Sequence, residues 1–159
     1  MNTSAFLGYV AEPDVHDGII LRVMVMRKFH LAFGALIVVA FLLTGQYMDK
    51  YHGHMEGVPD GPRLLYRTRH IFILLSGLLH LGLGAYFTSR MGLRRRVLQL
   101  SGSGLISVAS LLFVVAFFYE PGLRDLHTPL SHWGAYAIAA GTLLHLLSGA
   151  GRGAKESGV

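Results

Sequence analysis

Histidines inside long apolar stretches are the residues of this chain whose type and spacing could do chemistry. The stretch Tyr66–Phe87 (YRTRHIFILLSGLLHLGLGAYF) is apolar enough to cross a membrane, yet it carries His70 and His80 and opens with Arg67 and Arg69. An ionisable side chain in such a helix is energetically expensive and usually faces the bundle interior. Imidazoles in that position can ligate transition metals or haem iron. These histidines are therefore candidate ligands in a membrane site.

The composition predicts a membrane protein of one domain. The 159 residues are 52% hydrophobic and 14% charged, whereas about a quarter of the residues of a soluble domain are charged. The chain has no cysteine, which excludes disulfides, thiolate metal sites, iron–sulfur clusters and thioether-linked haem. The net charge of +5 is attributed to orientation in the bilayer and not to nucleic-acid binding.

Hydropathy predicts an all-α membrane protein, in which four transmembrane helices form an up-down antiparallel bundle within a single domain (1–159). A span of hydrocarbon needs about 20 apolar residues. The predicted spans are 29–48, 64–87, 97–119 and 129–150, and the polar tails are 1–18 and 151–159. The predicted loops are 49–63, the basic loop 89–96 and 120–128.

The positive charges predict the orientation of this bundle. Nine lysines and arginines fall on the side of the termini and five on the other side. Cytoplasmic loops carry the excess of positive charge, so both termini are expected in the cytoplasm. The expected location is the cytoplasmic (inner) membrane of a bacterium, with the lipid bilayer as the first partner.

Alternating passes through the membrane sort the histidines by depth. His70 and His132 lie near the outer boundary, His30 and His145 near the inner boundary, and His80 between them but nearer the inner pair. Two layers of histidines from different helices suit two haems held one above the other in a four-helix bundle. His132 and His145 are thirteen residues apart, which places them ~140° apart around a helix axis.

The first span also carries a family resemblance. Arg27–Met48 (RKFHLAFGALIVVAFLLTGQYM) resembles the first helix of small bacterial cytochromes of the b-561 type, in which four helices hold two b-type haems. The resemblance implies that His30 and His145 ligate an inner haem and that His70 and His132 ligate an outer one. His80 has no counterpart in that pattern and is an alternative partner for His145. Arg67 and Arg69 lie where the propionates of an outer haem would emerge.

The leading functional expectation is an electron-transfer protein with one or two haems b, linked to membrane quinol; whether it is an oxidoreductase in its own right stays open. The main alternative is a haem-free accessory or assembly subunit, in a larger membrane complex or a homodimer. Its histidines would then form hydrogen bonds between helices or contact lipid headgroups, and its glycines would only pack helices. Ser103, Ser107 and Ser110 fall at helical spacing and are interpreted as packing residues.

A second alternative is a copper-handling protein. The loop Tyr51–Gly57 (YHGHMEG) offers His52, His54 and Met55, a donor set suited to copper(I). The nine acidic residues all fall outside the predicted spans. A proton- or sodium-coupled transporter normally needs a carboxylate in the membrane, so that class is not favoured.

Overall fold

The computed structural model describes residues 15–88, 92–123 and 127–150, with side chains from residue 23 onward. Most of the predicted tails, residues 1–14 and 151–159, lies outside the described residues. Four α-helices make up this part of the chain: α1 (Val15–His52), α2 (Asp60–Tyr86), α3 (Leu93–Tyr119) and α4 (Pro129–Gly149). The described residues contain no strand, so the predicted all-α class with four helices is confirmed.

Three segments are long and apolar enough to cross a membrane. They are Val23–Met55, Asp60–Tyr86 and Leu93–Gly122, and they indicate a membrane protein, as the composition predicted. α4 is 21 residues long and is not among these three. α1 begins inside the predicted N-terminal tail, because the alternating apolar and basic residues before His30 continue the helix.

The connections are shorter than the sequence suggested. α1 continues to His52 and is followed by a 3-10 turn at Gly53–Met55, and α2 begins at Asp60 directly after Pro59. Proline is tolerated at a helix start, because the N–H groups of the first turn have no acceptor in the helix. α3 likewise begins at Leu93, so the basic run after it lies in a helix and not in a loop.

The helices pack as two hairpins. α1 packs along α2 and α3 packs along α4; the hairpins meet chiefly through α2 and α3, while α1 and α4 barely touch. An apolar cluster at the centre joins Ile37, Ile73, Ala109, Phe113 and Phe117.

The exterior of the helices is apolar. Leu36, Leu75, Leu111 and Leu147 are each more than half exposed, whereas the buried residues include histidines, serines, an arginine and a glutamate. A soluble domain keeps its charged side chains outside. The inverted distribution is the one expected for helices that face lipid.

Glycines hold the helices of each hairpin close together. A Cβ atom at Gly34 of α1 would lie 2.9 Å from the backbone nitrogen of Leu81 and 3.0 Å from the carbonyl oxygen of Gly77, both in α2. A Cβ atom at Gly102 would lie 2.8 Å from the carbonyl oxygen of Gly141, which joins α3 to α4 in the same way. These glycines therefore act as small residues at helix contacts.

Gly34→Ala should destabilise the protein, because the new methyl group meets the backbone of α2 and forces the helices apart. We expect a loss of about 1–3 kcal/mol, as for other overpacked sites, measured by thermal unfolding of the detergent-solubilised protein. Gly82→Ala is the matched control in α2, since nothing lies within 4 Å of its Cβ position. It should keep or raise the midpoint, and equal midpoints for the two variants would contradict this account.

Candidate functional site

A buried histidine cluster joins all four helices at the end of the bundle where the termini lie. His30 of α1 and His80 of α2 are 0% exposed, and their Nδ1 atoms are 2.8 Å apart. His30 Nε2 lies 3.0 Å from the hydroxyl oxygen of Ser103 in α3, and the same oxygen lies 3.2 Å from Nε2 of His145 in α4. The four side chains form one hydrogen-bonded chain.

The tautomers of this chain are coupled. The hydroxyl of Ser103 has one hydrogen, so it donates to one of its two imidazole partners and accepts from the other. When His30 Nε2 is the acceptor, its Nδ1 carries the hydrogen and donates to His80 Nδ1. The Nε2 of His80 then carries a hydrogen that points into the bundle.

His80 Nε2 lies at one end of this hydrogen-bonded chain and is buried. It makes no hydrogen bond of acceptable geometry, and the backbone of Ile106 is a polar group near the His80 ring. A buried polar atom without a partner costs about 1–3 kcal/mol. Such an atom in a cluster of possible ligands marks the cluster as a candidate functional site.

Aromatic rings surround the histidines. The ring of Phe33 contacts that of His80 with 4.8 Å between centroids, Phe87 lies 5.9 Å from His30, and Phe29 lies 5.3 Å from His30. These rings exclude water from two of the three imidazoles. Because the surroundings are apolar, hydrogen bonds and ligand bonds inside the cluster are stronger than they would be in water.

His30 and His145 are the two histidines of the cluster whose rings could share one ligand. The rings of His30 and His145 have centroids 6.5 Å apart and an interplanar angle of 69°, and both Nε2 atoms point to the same hydroxyl. Two imidazoles on opposite sides of one metal have centroids about 6 Å apart, given metal–nitrogen bonds of about 2 Å. The two histidines belong to α1 and α4, the helices that barely touch, and the hydroxyl of Ser103 in α3 bridges their rings.

The predicted outer histidines are not brought together in the same way. The ring of His70 stacks on Phe41 of α1 with 4.0 Å between centroids, and its Nδ1 lies 3.0 Å from the hydroxyl oxygen of Thr44. His132 is exposed, and its Nδ1 lies 3.4 Å from the hydroxyl oxygen of Thr128. His70 therefore packs on α1, and His132 faces outward from α4.

The two predicted propionate partners have different surroundings. Arg67 is exposed and lines an open cleft. Arg69 is 5% exposed and donates from Nε to Glu120 Oε2 at 2.8 Å. The charge of Arg69 is therefore already compensated by a carboxylate of this chain.

Glu120 is the buried acidic residue that the sequence interpretation missed. It lies in a 3-10 turn directly after α3 and is 0% exposed. Besides Arg69, it accepts hydrogen bonds from the backbone nitrogen of Ser131 at 2.9 Å and from the Ser131 hydroxyl at 2.6 Å. One carboxylate thus joins α2, the end of α3 and the first turn of α4.

The residues of the predicted copper loop lie in different environments. His52 packs between the rings of Tyr47 and Tyr66, with its Nε2 buried and without a hydrogen bond. His54 is exposed and pairs with Asp49, whereas Met55 is 3% exposed. Across the described residues, no group of three or more His, Cys, Asp or Glu side chains is arranged to hold a metal ion.

No protein-family model, curated protein or solved structure matches this chain. The resemblance to cytochromes of the b-561 type therefore rests on the residues of the first helix and on the layout of the histidines.

Glu120→Gln should destabilise the protein, because it leaves the buried guanidinium of Arg69 without a negative partner. We expect a loss of about 3 kcal/mol, at the low end for buried ion pairs, because this pair lies at an end of the bundle. The measurement is thermal unfolding in detergent. Glu56→Gln, in an exposed turn, is the control and should unfold like the original protein. A Glu120→Gln variant with an unchanged midpoint would show that the ion pair contributes no stability.

Proposed function

We propose that this chain is a small membrane electron-transfer protein that binds haem b through His30 and His145. The observation that supports the proposal is the convergence of two Nε2 atoms, one from the buried His30 and one from the half-buried His145, on the Ser103 hydroxyl. Imidazole pairs of this kind are the axial ligands of low-spin b-type haems, and the bound haem would supply the one-electron chemistry.

The other residues of the cluster would position these ligands. His80 accepts or donates at Nδ1 of His30, and a hydrogen bond at the second ring nitrogen fixes the tautomer and orientation of a ligating histidine. Phe29, Phe33 and Phe87 keep water away from the rings. Low solvent access and this hydrogen bond are two of the means by which a protein sets a haem potential.

The proposal includes an orientation in the membrane. α4 is taken as a fourth span, so both termini face the cytoplasm of a bacterium, where the excess of arginine and lysine belongs. The histidine cluster then lies near the cytoplasmic face of the inner membrane. A membrane quinol is the proposed electron donor, since it is the lipid-soluble reductant that reaches such a site. An outer haem at His70 and His132 is not part of the proposal.

The proposal predicts the absorption spectrum of purified protein and variants. Protein from haem-supplemented cells should be red, with a Soret band that sharpens on dithionite reduction. His145→Ala and His30→Ala should each abolish that spectrum, because each removes an axial ligand. His132→Ala is the matched control on α4, since this exposed histidine should leave the spectrum unchanged.

A second candidate, the haem-free accessory subunit, is favoured by the direct hydrogen bond between His30 and His80 and by the glycine contacts within each hairpin. Neither the hydrogen bond nor the glycine contacts require a cofactor. In that case the purified protein is colourless at every haem supply, and His30→Ala changes stability only. A colourless, folded protein would therefore overturn the haem proposal and support this candidate.

A further inference from the structure

A second possible site lies at the other end of α1, far from the histidine cluster. It is an open cleft of about 310 Å³ next to the turn that joins α1 to α2. The residues that line it are Gly45, Met48, Asp49, His54, Met55 and Arg67. Two methionines and one histidine thus line one small space that the haem proposal does not use. Met55 is also buried, and Met48 also packs against the central apolar cluster.

The backbone of the turn adopts an unusual conformation to form this cleft. His54 and Met55 have φ angles of 57° and 70°, between glycines at Gly53 and Gly57 that also have positive φ. Positive φ is costly for residues with a Cβ atom, and it tends to persist where the side chain has a specific task. In this turn Met55 is buried, with 3% exposure, whereas the adjacent His54 stays accessible.

The donor atoms in the cleft select one class of ligand. Thioether sulfur is a soft, uncharged donor that binds copper(I) in preference to harder divalent ions. The chain has no cysteine, so methionine and histidine are its only soft or borderline donors. The cleft also contains one carboxylate and one guanidinium, and these opposite charges leave it without the net negative charge that calcium or magnesium sites need.

We infer that this cleft is a binding site for a soft monovalent cation, copper(I), with Met48, Met55 and His54 as its ligands. Asp49 contacts His54 Nδ1, which leaves Nε2 of that ring as the donor for the metal and fixes its orientation. The positive charge of Arg67 disfavours a divalent cation in the same space. The site is independent of the haem proposal, because it shares no residue with the histidine cluster.

This assignment changes the ligand set that the sequence suggested. His52 was expected to ligate together with His54 and Met55, but its ring lies between Tyr47 and Tyr66 and it does not line the cleft. Met48 takes its place as the third donor. It lies at the end of α1, one turn before the loop, where no sequence motif draws attention to it.

The inference is tested with silver(I), a redox-inert substitute for copper(I), on the full-length protein in detergent. Equilibrium titration should show one saturable site, and X-ray absorption at the silver edge should show sulfur neighbours. Met48→Leu combined with Met55→Leu conserves side-chain volume and should abolish both. Met26→Leu, near the opposite end of α1, is the matched control and should bind like the original protein. Asp49→Asn should weaken binding by about 10–100-fold, as expected for a residue that orients a metal-binding histidine.

Several results would overturn the inference. They are the absence of a saturable silver(I) site, binding that survives the double leucine substitution, and tighter binding of zinc(II) than of silver(I). If circular dichroism shows that the double variant does not fold, silver(I) binding by His54→Gln is the test instead, since this exposed side chain can be changed without loss of packing. Unchanged silver(I) binding by His54→Gln would then overturn the inference. Silver binding and the Soret band are read separately, so each proposal can fail without the other.

Discussion

The structure depends on one constraint: a lipid-facing helix has no solvent that can satisfy its polar side chains. Each such group must find a partner inside the protein, because an unpaired one costs several kcal/mol in hydrocarbon. In this chain the outward faces carry leucine, valine and aromatic residues, while His30, Ser103, Arg69 and Glu120 are buried. The polar residues therefore determine which helix faces turn inward, and the apolar core fills the space between them.

Two polar contacts connect the hairpins at opposite ends of the bundle. The histidine cluster joins all four helices at one end. At the other end, Glu120 joins α2, α3 and α4 through Arg69 and Ser131. Since α1 and α4 barely touch, the rings of His30 and His145 are a main link between these two helices. A cofactor held by those rings would thus replace a polar link and not an apolar interface.

The sequence predicted the elements better than it predicted their partners. Hydropathy and charge give four helices and their approximate ends, because membrane thickness fixes the length of a span. The predicted depths of His30, His80 and His145 follow from helices that cross the membrane in alternating directions. The sequence assigns Ser103 to helix packing and Glu120 to a loop, because each acquires its role from a partner more than ten residues away in the chain. Hydrogen bonds across such separations depend on helix rotation, which hydropathy does not report.

The small and polar residues of α4 nevertheless indicate which face of this helix turns inward. Ser131, Gly134, Gly141 and Ser148 are buried and recur at steps of three and seven, which defines one face of a helix. His145 belongs to this face and contacts Ser103. The position fourteen residues before it, two heptads away, is occupied by Ser131 and not by a histidine. His132 is one residue off that face and is exposed for this reason. At the Pro129 end of α4, the inward face therefore presents a serine to the Glu120 carboxylate and not an imidazole.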